Sequence, residues 1–249
     1  MSRPVQQPAV TPLEQQQIQV AAELGDTFWH RVRFRLVGQA AARLGADTVL
    51  DIGAGSGQLG SWLLTQHNPL RYKFEETSPV LDAALSARFG KGARGAVDDL
   101  IPATTLVTML DVLEHIEHDE AALRGIRQRM APDAQLLITV PAFQQMFTSW
   151  DESLGHFRRY SRRQLRDVAA RAGFTVTSSA YLFPELLPLV VLRKLRKAPR
   201  DDVDFPSLPR VIDRSAELFS RASAALRRLW PAGTSVVALL TANRDQVTP

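Results

Sequence analysis

The sequence predicts an α/β protein with a seven-stranded, mostly parallel sheet, helices on both faces and extra helices at the amino end. From Asp47 onward, short apolar runs alternate with amphipathic segments, the pattern of a sheet covered on both sides. Runs such as Thr48–Ile52 and Gln135–Val140 are almost continuously apolar or β-branched, as strands buried on both faces are. The first of these runs leads straight into Gly53-Ala54-Gly55-Ser56-Gly57, a turn at the strand end where open α/β sheets bind ligands.

Residues 1–10, rich in proline and glutamine, read as a loose tail. Thr11-Pro12-Leu13-Glu14 then combines a capping threonine, a proline at the first helical position and a glutamate that can reach back, which starts a helix. Gly25-Asp26 interrupts it, and a second helix is predicted over Phe28–Leu44. The predicted strands are Thr48–Ile52, Tyr72–Glu75, Arg94–Val97, Leu106–Leu110, Gln135–Val140, Phe174–Tyr181 and Ser235–Ala242. The predicted helices are Gln58–Gln66, Pro79–Phe89, Glu120–Met130, Arg162–Ala172 and Val211–Leu229, the fourth opened by the capping box Ser161-Arg162-Arg163-Gln164. Lys197–Pro209, with its prolines and charges, reads as a surface linker. One domain over 11–249 accounts for the chain, with a helical extension over 11–45 and lid segments over 141–161 and 182–210.

Composition narrows the function. With 45% hydrophobic and 22% charged residues, a chain of 249 residues can bury a sizeable core. The absence of cysteine excludes disulfides, cysteine metal sites and a thiol nucleophile and suits a cytoplasmic protein. The net charge of +4 favours acidic partners only weakly. No apolar run reaches the roughly 18–20 residues needed to span a bilayer, and the amino terminus lacks a signal-peptide core. The expectation is a cytoplasmic protein that makes at most peripheral contact with the inner face of the membrane.

The turn after the first strand has two readings. Gly55-Ser56-Gly57-Gln58-Leu59-Gly60 satisfies the dinucleotide pattern G-x-G-x-x-G, with Glu75 or Glu76 about 20 residues on. Against it stands Asp51: a carboxylate at the strand end would repel a pyrophosphate but suits a ligand carrying an ammonium and a sulfonium. The methyl-donor reading is therefore preferred over a nicotinamide cofactor. At the end of the second strand one acid of Glu75-Glu76 can accept both hydrogen bonds of a ribose diol, and its spacing before Ser78-Pro79 selects Glu76.

Later residues sharpen this into a resemblance. Asp111-Val112-Leu113-Glu114-His115-Ile116, after the predicted fourth strand, is similar to a run common in the ubiquinone-methyltransferase-like branch of the class I methyltransferases. Val140-Pro141-Ala142-Phe143, Trp150-Asp151, Gly155-His156-Phe157-Arg158-Arg159-Tyr160, Gly233-Thr234-Ser235 and the helix with Phe28-Trp29, Arg31 and Arg33 resemble a bacterial subgroup associated with polyprenyl or glycolipid pathways. The resemblance implies a Rossmann-like methyltransferase fold and S-adenosylmethionine as cofactor. It assigns Asp51, Gly53, Ala54, Gly55 and Gly57 to the methionine end of that cofactor and Glu76 to its ribose. Asp98, Asp99 or the Leu100 backbone would face the adenine, because Gly95-Ala96 stands where the family commonly has Gly-Asp. Asp111 would close the pocket.

Methyl transfer is an in-line displacement that needs alignment and exclusion of water, so no metal ligand is expected. A hydroxyl acceptor gains from a general base, commonly histidine. His115 follows the fourth predicted strand. His156 lies in the expected acceptor lid with Asp151, Arg158, Arg159 and Tyr160. His115, His156 and Tyr160 are the candidate catalytic residues, and for both histidines a purely structural role is the alternative. The arginines of 158–163 suit an acceptor phosphate or carboxylate or a solvated helix start. No Asn/Asp-Pro-Pro-Tyr run follows the fourth strand, which argues against nucleic acid. Leu186–Leu192 followed by Arg193-Lys194-Leu195-Arg196-Lys197 fits either a membrane interface or a helix packed on the sheet. The sequence thus points to methyl transfer to a small or lipid-like acceptor, at a hydroxyl oxygen, with an NAD-dependent oxidoreductase and a non-catalytic S-adenosylmethionine-binding module as alternatives.

Overall fold

The computed structural model describes residues 27–66, 70–96, 99–195 and 209–242. The expected helix from Thr11, most of the Lys197–Pro209 linker and Asp98 lie outside them.

Among the described residues six strands form one sheet: β1 (Thr48–Ile52), β2 (Arg71–Glu75), β3 (Thr105–Leu110), β4 (Gln135–Pro141), β5 (Phe174–Leu182) and β6 (Ser235–Ala242). Their order is β2-β1-β3-β4-β6-β5, with β1 to β4 parallel and β6 antiparallel to both β4 and β5. β5 therefore runs with β4, and the carboxyl ends of β1 to β5 share one edge.

The helices are α1 (Phe28–Leu44), α2 (Gln58–Leu64), α3 (Pro79–Phe89), α4 (Asp119–Arg129), α5 (Ser149–Ser153), α6 (Arg162–Arg171), α7 (Leu187–Leu195) and α8 (Arg210–Ala225). Strand alternation divides the core in two. Leu50, Val107, Met109, Leu136, Ile138 and Val140 point to one face and pack with Leu123 and Ile126 of α4 and Leu165 and Val168 of α6. Val49, Leu106 and Leu137 point to the other and meet Phe34 and Val37 of α1, Leu59 and Leu63 of α2, Leu85 of α3 and Ala224 of α8. A parallel sheet needs cover on both faces, and these helices supply it.

The seventh expected strand, Arg94–Val97, is the departure. Among the described residues it is reduced to a single bridge between Phe74 and Arg94, with the Gly95 amide donating to the Phe74 carbonyl at 2.7 Å. A segment with Gly95 and Ala96 has little side chain to pack against β2, and glycine weakens strands. The other elements predicted within the described residues recur with ends shifted by a few residues, including the capping box in which Ser161 and Gln164 satisfy each other's backbone amides. No described helix is long and apolar enough to cross a membrane.

Candidate active site

The site is built at the carboxyl edge of the sheet, beginning with the turn after β1. Gly53, Gly55 and Gly57 all take positive φ, 69°, 56° and 73°. A Cβ on Gly53 would come within 2.7 Å of Val112, whereas one on Gly55 would meet nothing within 4 Å; the open side of the turn is at Gly55. The amides of Gly53 and Ala54 donate to the Glu75 carbonyl, fixing the turn to the end of β2.

The two acids after β2 are turned apart. Glu75 is paired with Arg129 of α4. Glu76 instead accepts from the Gly55 amide at 2.8 Å and from the Ser78 amide at 3.0 Å. Each carboxylate oxygen has further lone pairs, so Glu76 can also receive a diol beside the glycine turn. An open cradle at Gly55 with an acid on its rim fits the ribose and methionine portions of S-adenosylmethionine.

Asp51, expected to meet the ligand with its carboxylate, is buried near the end of β1. It is 4% exposed, and its oxygens accept from Tyr72 Oη at 3.1 Å and Thr108 Oγ1 at 2.9 Å. The cause is alternation: Asp51 points to the same face as Val49. Burial pushes its carboxyl up to about 7, against the hydrogen bonds from Thr108 and Tyr72.

Among the described residues, three other than glycine have positive φ: Asp111 after β3, Phe143 after β4 and Phe183 after β5. All three lie at the carboxyl edge, where strained backbone marks functional positions. Asp111 is braced by Thr139 at 3.1 Å and by Arg33 of α1 at 3.0 Å. Arg33 is itself buried, donates to Ser235 Oγ at 2.9 Å and lies over the Phe183 ring. Phe143 stacks on Tyr181 with ring centroids 5.0 Å apart. Helix α1 thus reaches across the edge and joins the ends of β3, β5 and β6, a role sequence reasoning did not assign to Arg33.

Beyond Asp111, the turn Leu113–His115 brings the two candidate histidines together. The rings of His115 and His156 meet edge to face with centroids 4.5 Å apart. Burial, followed by the neighbouring His156, pushes His115 down to about 4. His156 Nδ1 lies 2.9 Å from Asp151 Oδ1. Asp151 is fully buried, accepts a two-pronged contact from Arg159 at 2.7 and 3.0 Å, and accepts from the Thr148 amide. Burial alone would raise its carboxyl, yet the hydrogen bonds from His156 and Arg159 and the Arg159 charge hold it below the usual carboxylate range. Beneath the histidines lies Glu114, 0% exposed, with neither carboxylate oxygen hydrogen-bonded; burial, then the charge of Asp111, raises its carboxyl well above the ordinary value. Sequence reasoning quoted Glu114 and Asp151 but gave neither a role, because burial within a single helical turn carries no periodic signal.

Other candidates fall elsewhere. Tyr160 is 2% exposed and its hydroxyl donates to Asp119 at 2.8 Å, so it braces the segment after α5 instead of facing a cleft. Arg158 is engaged by Asp119 and the carbonyls of Ile116 and Glu117. With Arg159 held by Asp151, neither arginine waits for an acceptor phosphate: half-buried guanidiniums are consumed by internal acids. Asp99 and Leu100 are exposed beyond the Gly95-Ala96 segment, with the Asp99 amide donating to the Ala96 carbonyl.

The chain resembles known proteins in this architecture. A family model described as a methyltransferase domain matches residues 28–179, more than half of the chain. No curated protein matches it. Among solved structures, it is similar to a chain from the complex of the Haloferax volcanii Trm112 methyltransferase activator with a methyltransferase candidate (TM-score 0.59, 17% identity, 95% of this chain and 98% of that one). A candidate sarcosine dimethylglycine methyltransferase from Galdieria sulphuraria superposes with a TM-score of 0.55 at 11% identity, over 85% of each chain. Phosphoethanolamine N-methyltransferase 2 of Haemonchus contortus, in complex with S-adenosyl-L-methionine, does so with a TM-score of 0.54 at 15% identity, over 92% of this chain and 57% of that one. With its family model spanning helix α1, the glycine turn and both candidate histidines, the chain belongs to the methyltransferase domain family, as an S-adenosylmethionine-dependent methyltransferase of Rossmann-like α/β fold.

Proposed function

We propose that the protein transfers the methyl group to a hydroxyl oxygen of a small or lipid-like acceptor, and that His115 and His156 receive that hydroxyl. The observation that carries this reading is the Asp151–His156–His115 arrangement: a buried carboxylate fixes one nitrogen of His156 and leaves the other for an acceptor. This is the geometry of an oriented base, and it belongs to the segments after β3 and β4, apart from the glycine turn after β1.

The bound cofactor supplies an electrophilic methyl carbon on sulfur. In this reading the turn Gly53-Ala54-Gly55-Ser56-Gly57 cradles its methionine end, with Asp51 supporting the turn from below. Glu76 binds the ribose; Asp98, Asp99 or the Leu100 backbone borders the adenine; Asp111 closes the pocket. His156 holds the acceptor hydroxyl in line and eases the loss of its proton as the new carbon–oxygen bond forms and the carbon–sulfur bond breaks. Tyr160 keeps the His156 segment in place through Asp119. A hydrophobic acceptor is supported by the exposed Leu189, Val191 and Leu192 of α7, which border Lys194, a pairing suited to lipid-like molecules and to peripheral membrane contact.

The test has two parts. Thermal-shift titration should show stabilisation by S-adenosylhomocysteine and none by NAD(H); the reverse result would return the protein to the oxidoreductase class. His156→Ala should then leave S-adenosylhomocysteine affinity nearly unchanged and lower turnover of a hydroxyl acceptor about 100-fold or more. Loss of S-adenosylhomocysteine binding in folded His156→Ala would move the histidine into the cofactor pocket and end the acceptor assignment.

A further inference from the structure

We infer that Glu114, His115 and His156 form a binding site for one divalent transition-metal cation of the zinc class. One oxygen of Glu114 and one ring nitrogen of each histidine all lie within 4.8 Å of one another. Ligands about 2.0–2.2 Å from a shared tetrahedral ion stand ~3.5 Å apart, so side-chain adjustments of about 1 Å bring the three onto one centre.

Glu114 supplies a second, independent observation. It is completely buried and both its oxygens lack a hydrogen-bond partner, an arrangement that costs free energy unless the carboxyl is neutralised or coordinates a cation. The terminal nitrogens of Arg33 bond Asp111 and Ser235, and Arg159 bonds Asp151, so neither guanidinium donates to Glu114. A cation between Glu114 and the histidines would satisfy it.

The histidines are also oriented as metal ligands are. Asp151 Oδ1 takes Nδ1 of His156 at 2.9 Å, and the backbone of Leu154 hydrogen-bonds the ring of His115. Such outer contacts fix the tautomer and leave the other nitrogen for a cation. Asp151 is in turn locked by Arg159 and Thr148, giving a complete supporting layer. Two imidazoles with one carboxylate select zinc or a similar first-row ion over magnesium or calcium, which prefer oxygen. With the ion bound, the His156 nitrogen that otherwise meets the acceptor hydroxyl becomes a ligand, and the acceptor oxygen, at the coordination position that three protein ligands leave open, is polarised by the ion in place of that histidine. The inference deepens the acceptor reading and rests on it for that last step only; the cation site itself requires neither donor nor acceptor.

The experiment uses the full chain, free of any affinity tag, stripped with a chelator and titrated with Zn²⁺ against a chromogenic zinc chelator. A parallel titration follows the visible absorption of Co²⁺. No donor or acceptor is present. One equivalent should bind, and Glu114→Gln and His115→Ala should each weaken binding by about 100-fold or more, since removing even an outer partner of a ligand costs 10–100-fold. S-adenosylhomocysteine binding checks that each variant is folded. Should Glu114→Gln fail to fold, the comparison passes to His115→Ala and His156→Ala. Absence of saturable Zn²⁺ and Co²⁺ binding in the parent protein overturns the inference, as does undiminished binding in the folded variants. Full turnover of a hydroxyl acceptor after chelation would overturn the polarising step while leaving the acceptor reading standing.

Discussion

Glu76 shows how one side chain can organise a cradle. By accepting from the Gly55 and Ser78 amides it ties the glycine turn to the start of α3. Glu75, one position earlier, is tied to Arg129. If Glu76 also receives the ribose, Glu76→Ala should weaken S-adenosylhomocysteine binding by about 1–3 kcal/mol, the scale of hydrogen bonds to a charged group. Glu75→Ala should leave affinity nearly unchanged; calorimetry that puts the loss on Glu75 instead would reverse the assignment. Gly55→Val tests the same cradle by filling it: the added side chain points into open space but at φ 56°, so binding should vanish, with some backbone strain in the free protein. Unchanged affinity would put the ligand elsewhere. Both positions were legible in the sequence, because a glycine turn and an acid after consecutive strands are local patterns. Asp51 was legible only in part. Its place at a strand end was correct, but its direction follows from alternation with Val49, and that places it under the turn among Tyr72 and Thr108.

At the scale of elements, α1 performs more than the covering role its apolar stripe announces. Arg31 reaches Asp213 and Glu217 of α8, and the Phe28 amide donates to Asp213 at 3.0 Å, while Arg33 reaches inward to Asp111. One helix therefore links α8 to the strained end of β3. Nothing local in the sequence announces a contact between positions 33 and 111, since their side chains meet only through the fold. The same holds for Arg158 and Arg159, whose basic run looked available for an acceptor until Asp119 and Asp151 were seen to engage them. Arg33→Met should leave the Asp111 charge with Thr139 alone, close to the buried Glu114, and destabilise the protein by about 2–4 kcal/mol, as removal of one partner from a largely buried pair does. Denaturant unfolding would measure it. A cost below about 1 kcal/mol would class the contact with surface ion pairs.

For the whole molecule, the alternating apolar runs announced the layers and six of the expected strands, because burial on both faces writes itself into composition. The edge segment Arg94–Ala96 had no such constraint and remains a single bridge. The buried charges left by this architecture predict how stability responds to pH. Asp51 is enclosed by Tyr72, Thr108 and, at longer range, Glu76, and its carboxyl is raised from 3.8 to about 7. The folded chain therefore holds the Asp51 proton through a range in which the unfolded chain has released it. Where the folded state binds more protons, unfolding free energy falls as pH rises. The contribution is whole below about pH 4 and is lost by about pH 7, amounting to about 4 kcal/mol if each tenfold change in proton affinity is worth ~1.4 kcal/mol. Asp51→Asn keeps the shape and cannot ionise, so it should lack this slope. Unfolding measured for both proteins at several pH values should show the variant gaining on the parent steadily from pH 4 to pH 7, with contributions from other titrating groups cancelling in the difference. A constant difference across that range would mean that Asp51 is ionised in the folded protein throughout, with Tyr72 and Thr108 sufficient to hold its charge beneath the glycine turn.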